Sequence, residues 1–272
     1  RPLRALADVA RVISRGNYDQ EVAVAGSTEV EQLSSAFNDM QDGIKKHQAR
    51  ILYQAQHDAL TDLPNRTLAS DRLEQAILRS SRHDRTFTVI MLDMNGLKRI
   101  NDTLGHTIGD RVLIAVAERL KGVARESDTT ARLGGDEFLL LLEETGLQEA
   151  EKAAERIAGL FEEPIQLDDM QVSVMMNAGV VAFPEHGDTA ETLLRRADVA
   201  MYAAKELEKK SFQIYEPGRD EEHLRRLRLI GELRAALTTD AVSVHYQPKV
   251  DLKTDEVCAA EALIRWIHPE FG

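Results

Sequence analysis

Several things are scarce in this chain of 272 residues, and each shortage closes off a class of protein. There is one cysteine, Cys258. A lone thiol makes no internal disulfide, so a cross-linked secreted framework is excluded and a reducing cytoplasm suits the chain. Cys258 itself is expected to be a small core residue. No stretch approaches the ~18 consecutive apolar residues of a membrane span, and no signal-peptide pattern is present. Positive charge is also short: 34 Lys and Arg stand against 46 Asp and Glu, a net charge of −12. No basic surplus exists to neutralise nucleic-acid phosphates, so a nucleic-acid partner is not expected. If a polyphosphate is bound, metal ions and a few Lys or Arg must meet its charge locally. The remainder, 43% apolar and 29% charged, is an ordinary globular balance with a sizeable core. The chain begins at Arg1 rather than Met and ends abruptly at Gly272, so it is expected to be a piece of a longer protein.

Two apolar seams run through the first fifty residues. Leu3, Leu6, Ala10 and Ile13 are spaced by three and four, as are Val30, Leu33, Phe37, Met40, Ile44, His47 and Ile51. Such spacing marks helices that pack as a coiled coil, although an ordinary helical hairpin would show it too. Residues 16–26 between them read as a polar, glycine-punctuated connector. Pro2, Glu29 and the run Ala36-Phe37-Asn38-Asp39-Met40 resemble a HAMP domain. That resemblance implies a parallel dimeric four-helix coiled coil over residues 1–48, fed by an upstream transmembrane sensor. Residues 49–57 then read as a linking signalling helix, which Pro64 and Asn65 break.

Beyond it the pattern alternates. A strand is expected at 87–92, helical stretches through 125, and hairpin strands at 129–133 and 138–142 that turn at Gly134 and Gly135. A helix at 148–161, a strand at 172–183, a helix at 189–207 and a strand at 212–215 follow. Strand–helix–strand–strand–helix–strand is the split βαβ or ferredoxin-like order, an α+β sandwich with helices packed on one sheet. Fold alone says little about chemistry. The last stretch offers an amphipathic segment with Leu224, Leu227, Ile230 and Leu233 on one face, a strand at 242–246 and the run 261–266.

The run Gly134-Gly135-Asp136-Glu137-Phe138 occupies the expected hairpin tip. Paired glycines supply the positive φ of a tight turn, and acids at a turn are ordinarily just solvated. The same glycines also let a substrate approach the backbone. Asp93 closes a run of apolar residues, and in this topology the end of the central strand neighbours the hairpin tip. Asp93, the Met94 carbonyl and Asp136 then present the hard oxygens that Mg²⁺ requires. Two such ions, bridged by triphosphate oxygens, would stabilise the attacking and leaving oxygens of a phosphoryl transfer.

Over residues 58–217 the chain resembles the GGDEF diguanylate cyclases. The resemblance rests on the run 58–66, Asp93, Lys98, Asn101-Asp102, Gly105-His106, Gly109-Asp110 and the signature 134–138. Phe183-Pro184, Ala197-Asp198, Tyr202 and Ala204-Lys205 add to it. It implies a nucleotidyl-cyclase palm (βαββαβ) that condenses two GTP into cyclic di-GMP and releases two pyrophosphates. By that resemblance Asp93, Met94, Asp136 and Glu137 hold Mg²⁺ or Mn²⁺, two ions per active site. Glu137 also assists deprotonation of the GTP 3′-hydroxyl. Asn101 and Asp110 read the guanine edge, Gly134 and Gly135 lie against the substrate, and Lys98 and Lys205 neutralise phosphate. Taken singly, each lysine is a surface charge; His106 is structural.

Because the product is two-fold symmetric and each monomer holds one GTP, a homodimer is implied, with the coiled coil setting whether the half-sites meet. Arg125 and Asp128 form an R-x-x-D pattern in the register of the family's inhibitory product site, with Arg156 as a second arginine; alone, the pattern is a surface ion pair. Asn95 departs from the family's second Asp, Gly96-Leu97 from an aromatic pair, and Glu208-Lys209-Lys210 from Gly-Arg-Asn.

Residues 218–272 resemble the start of an EAL phosphodiesterase domain, on Tyr246-Gln247-Pro248-Lys249, Glu261-Ala262-Leu263, Arg265-Trp266 and His268-Pro269, with Asp255 and Ala259 in place of usual glycines. Glu261 would be a metal ligand there, orphaned because its partner acids lie beyond Gly272. The expected place is the cytoplasmic face of a bacterial inner membrane in the full protein, the fragment itself being soluble. An active cyclase is the leading expectation; a GTP-binding regulatory domain tuning the downstream phosphodiesterase and a purely dimeric relay are the others.

Overall fold

The computed structural model describes residues 27–206, 211–239, 241–268 and 270. The first apolar seam, the connector after it and Glu208-Lys209-Lys210 lie outside the described residues. The second seam and the linking segment form one uninterrupted helix, α1 (Thr28–Gln56). Val30, Phe37 and Ile44 are half-buried on it, while Leu33, Met40 and Ile51 remain about half exposed.

A second helix, α2 (Arg66–His83), follows where sequence reading marked only a break. Asn65 caps it, its side-chain oxygen accepting from the Leu68 N–H at 3.2 Å. Its buried positions Ala69, Leu73, Ala76 and Ser80 recur at helical spacing but include only one large apolar residue.

The central body comprises β1 (Phe87–Asn95), α3 (Leu97–Leu104), α4 (His106–Val123), β2 (Thr129–Gly134), β3 (Glu137–Leu142), α5 (Leu147–Gly159), β4 (Ile165–Leu167), β5 (Met170–Val172), β6 (Met175–Phe183), α6 (Ala190–Glu206) and β7 (Phe212–Ile214). The sheet order is β2-β3-β1-β6-β7. Its first four strands are antiparallel neighbours in the expected split order, and β7 adds in parallel beside β6. The helical stretches expected through 125 are two helices parted at Gly105. One expectation is corrected: the strand expected at 172–183 is β6 preceded by the small β4–β5 hairpin.

Helices cover both faces of the sheet. On one face Ile90, Leu92, Met94, Phe138 and Leu140 pack against Val112, Val116 and Leu120 of α4 and Ala154 and Ile157 of α5. On the other, Phe87, Val89, Met91, Leu139 and Val181 meet Leu73 of α2 and Leu193, Ala197 and Met201 of α6. Each fully buried large side chain stabilises the fold by roughly 1.5–3 kcal/mol. Burial on both faces explains why β1 reads as a continuous apolar run rather than an alternation. The pleat then fixes a key placement: Asp93, two residues after Met91, faces the α2 and α6 side.

Helix α7 (Arg219–Ala236) and the antiparallel pair β8 (Val242–Val250) and β9 (Val257–Trp266) complete the chain. Nearly every residue of this hairpin is exposed. Cys258 is therefore not a core residue: it sits exposed on β9, because among the described residues no layer covers that sheet. Ile230 of α7 is likewise exposed.

Candidate active site

The β2–β3 turn places Gly134 at φ 139° and Gly135 at φ 54°, conformations that glycine adopts without strain. Arg132, on the strand before, is only 9% exposed. Its Nε and Nη2 donate to the Gly135 carbonyl at 3.1 and 2.7 Å, and its Nη1 donates to Asp58 Oδ1 at 2.8 Å. Its backbone N–H donates to the Pro64 carbonyl at 2.9 Å. Asp58 Oδ1 also accepts from the Thr61 N–H at 2.9 Å and hydroxyl at 2.7 Å. Burial pushes the Asp58 carboxyl up, but the Thr61 and Arg132 donors outweigh it and hold the group below its ordinary value. Residues 58–66 thus fasten the turn from behind. Asn65 ties the same loop to the stalk, its N–H and Nδ2 donating to the Gln56 and Ala55 carbonyls, each at 2.8 Å.

Across the sheet end runs a row of polar side chains. Asp93 lies opposite Glu137 on β3 and opposite Asn177 on β6. Directly opposed residues share a face, with Cβ atoms about 4.5–5.5 Å apart. The Met94 N–H donates to the Asp136 carbonyl at 3.0 Å, which pins the turn to β1. Lys205, from the last turn of α6, sits 2.9 Å from Asp93 Oδ2. Burial raises the Asp93 pKa; Lys205 pulls it down, the charges of Asp136 and Asp198 push it up again, and the net direction is upward. A carboxyl raised on folding opposes the fold once ionised, so Asp93 withholds stability at neutral pH. Glu137 Oε2 pairs with Arg66 Nη2 at 3.2 Å, and Arg66 Nε donates to the Leu133 carbonyl at 3.3 Å.

This donor set fits a divalent cation. It is all oxygen, two of its carboxylates repel each other, and Lys205 already places a positive charge on one of them. Among the described residues no three His, Cys, Asp or Glu groups stand close enough to hold an ion unaided. The Met94 carbonyl and oxygens of a ligand would complete the shell.

Asn101 lies on α3 and Asp110 on α4. Asn101 Oδ1 is buried with no hydrogen-bond partner among the described residues. A Cβ at Gly109 would fall 1.9 Å from that oxygen, so glycine is what admits the amide. An orphaned buried acceptor costs about 1–3 kcal/mol until something donates to it. Asp110, Lys98 and His106 are exposed.

A separate cavity of about 610 Å³ opens at the other end of the β2–β3 hairpin from the turn, lined by Arg72, Arg79, Arg125, Asp128, Glu143 and others. Asp128 braces it, accepting from the Arg125 N–H at 2.8 Å and the Glu143 N–H at 3.1 Å. Arg156 does not line this cavity; its Nη2 is 3.5 Å from the carbonyl of Val123, two residues before Arg125. Arg72 and Arg79 were missed by sequence reading because the helix that carries them was missed, and Arg66 entered only as the end of the run 58–66, with no role assigned. Glu261, on β9, pairs with Lys249 of β8 at 3.2 Å.

Comparison with known proteins bears on this geometry. The family model described as "Diguanylate cyclase, GGDEF domain" matches residues 55–211, and a HAMP domain model matches residues 1–46. The bifunctional diguanylate cyclase/cyclic di-GMP phosphodiesterase MucR of Pseudomonas aeruginosa is 40% identical over 222 residues, 82% of this chain and 32% of MucR. Diguanylate cyclase TpbB of the same species is 41% identical over 214 residues, 75% of this chain and 49% of TpbB. The chain therefore spans 32% to 49% of the length of these two relatives. The solved GGDEF domain of Pseudomonas aeruginosa TpbB superposes with a TM-score of 0.60 at 40% identity, covering 62% of this chain and 99% of that one. The GGDEF domain of Caulobacter crescentus DgcB, solved in complex with c-di-GMP, gives 0.54 at 26% identity, covering 60% and 93%.

Proposed function

The chain belongs to the GGDEF diguanylate cyclase family, and from that premise we propose that it joins two GTP into cyclic di-GMP with loss of two pyrophosphates. The observation that carries this reading is the side-by-side placement of Asp93 and Glu137 across the β1–β3 ladder, with Asp136 on the same turn.

A divalent metal belongs to the chemistry of this family and, when bound, offsets the charge of the triphosphate. Asp93, the Met94 carbonyl, Asp136 and Glu137 are the groups that would hold it, taken here as two Mg²⁺ or Mn²⁺. Glu137 accepts the proton of one nucleotide's 3′-hydroxyl. The freed oxygen bonds to the α-phosphorus of the other nucleotide, the bond to the β-phosphate oxygen breaks, and pyrophosphate leaves with the electron pair. The same step repeated closes the ring. Lys205 exchanges Asp93 for a phosphate, and Lys98 adds a second positive charge. Asp110 accepts from the guanine N–H donors, and the orphaned Asn101 oxygen accepts from an amino group of the same edge.

Each protomer supplies one half-site, so the reaction needs two copies facing each other across a two-fold axis. Residues 1–48 are read as the HAMP module that sets this geometry, 49–57 as its link, 58–217 as the cyclase and 218–272 as the start of an EAL domain holding Glu261. An upstream membrane sensor, a downstream EAL domain and a place at the cytoplasmic face of the inner membrane belong to the same reading. Among the described residues no helix is long and apolar enough to cross a membrane.

The test is incubation with GTP or ATP and Mg²⁺, with cyclic dinucleotide and pyrophosphate quantified. Product from GTP alone is expected, and Asp110→Ala is expected to raise the KM for GTP about tenfold to a hundredfold through one lost charged hydrogen bond. GTP binding without turnover would instead favour the regulatory reading that Asn95 invites. The Arg125 cavity is taken as the product-inhibition site, with Asp128 as its brace and Arg156 as its more distant arginine. Arg125→Ala should raise the inhibition constant for added cyclic di-GMP at least about tenfold while initial rates hold, because an arginine fork contacts phosphate or guanine in two places. An unchanged inhibition constant would remove the cavity from that role.

A further inference from the structure

We propose that Asn177 is a further substrate-contacting residue of this site, its side-chain amide donating to a phosphate oxygen of the bound nucleotide; the assignment rests on the cyclase reading above.

The polar row at the sheet end has three members, and two of them are answered by a helix. Glu137 meets Arg66 of α2 and Asp93 meets Lys205 of α6. For Asn177 no such answer is found among the described residues: it is 6% exposed, and its Nδ2 is buried without a hydrogen-bond partner there. Buried donors are paired in the great majority of folded proteins, and an orphan opposes folding. Nothing in the packing calls for an amide here. The next residues of β6 on this face are Gly179 and Val181, and the second of these is fully buried among apolar side chains. A Val or Leu would suit the strand better.

The surroundings specify what should meet the amide. Helix α6 presses on β6 so closely that a Cβ at Gly179 would fall 1.9 Å from the Ala197 carbonyl. One turn beyond Met201 the same helix carries Lys205, whose ammonium reaches Asp93, the residue directly opposite Asn177. At this end α6 sends a lysine side chain to the polar row, and in this assignment that lysine leaves Asp93 when it turns to phosphate. A phosphate oxygen has no hydrogen to donate and carries charge, so it completes an N–H donor with a short, charge-assisted bond. It also draws Lys205 toward the same point.

The experiment uses the full chain as parent, Asn177→Leu and Asn177→Asp. Each is measured by thermal melting without nucleotide, by the melting shift on adding GTP with Mg²⁺, and by steady-state cyclase kinetics. Asn177→Leu should melt at or above the parent, by about 2–4 °C if the orphan is removed cleanly, while its GTP-induced shift shrinks and kcat/KM falls about tenfold or more. Asn177→Asp places a third negative charge in the row and should lose more of both. A GTP-induced shift retained in Asn177→Leu overturns the assignment, whatever the melting temperature does. So does a baseline melting point more than a few degrees below the parent, which would show that the amide has a structural partner. A parent that neither makes product nor is stabilised by GTP overturns the cyclase reading and the assignment with it. An active parent matched by its Leu variant overturns the assignment alone.

Discussion

Glu137→Gln is expected to lower cyclic di-GMP formation by a factor of about 10³ or more, because it removes both a proton acceptor worth about 10²–10⁴ in rate and a metal-binding charge. The substitution is nearly isosteric, so the β1–β3 ladder, in which Glu137 opposes Asp93, should be kept. Its ion pair with Arg66 is partly solvated and 3.2 Å long. Exposed pairs of this kind contribute about 1 kcal/mol or less, so the melting temperature should hardly move. Product quantified at saturating GTP and Mg²⁺, beside a GTP-binding measurement, separates the effects. Binding within a few-fold of the parent with product almost absent is the expected pattern. A variant that keeps a tenth of the parental rate would take Glu137 out of the proton-accepting role.

Arg132→Leu should have the largest effect on stability, about 3 kcal/mol, out of a total that rarely exceeds 15. It strips the Gly135 carbonyl of two donors and leaves Asp58 with Thr61 alone. Asp58 keeps 23% of its side-chain surface exposed, so water answers part of the loss. The pH dependence follows from the direction of its shift. The Asp58 carboxyl titrates below its ordinary value in the fold, so its contribution is complete above the unfolded value and fades as pH falls through the folded one. The gap between parent and variant in urea denaturation should be widest at neutral pH and narrow below about pH 4. A gap that stays constant into acid would mean that the pair contributes packing rather than charge.

The parts of the site that sequence reveals are those carried by local chemistry. Gly134 and Gly135 announce a positive-φ turn, and Asp93 announces itself by ending an apolar run that is buried on both faces. The buried amide of Asn101 was visible only through a family resemblance, and its fit depends on a bare Cα at Gly109. What stayed hidden was tertiary. Helix α2 buries two alanines, a serine and one leucine, too weak an apolar stripe to stand out, and Arg72 and Arg79 were lost with it. Asn177 gave a faint sign, one amide in an otherwise apolar strand, but its lack of a partner is a fact of packing. Cys258 misled because a lone cysteine is usually buried, and here no layer among the described residues covers the hairpin that carries it.

Asn65 belongs to two helices at once, capping α2 through Leu68 while gripping the last turn of α1 at Ala55 and Gln56. The loop between them is consequently a braced joint, and α1 has the dimensions of a lever arm about 43 Å long. A tilt of about 5° at the joint sweeps the far end by about 4 Å on that length. Run in the opposite direction, the arm works as a reduction gear: coarse travel at its remote end arrives at Arg66, the residue next to the brace, as a displacement of a fraction of an ångström.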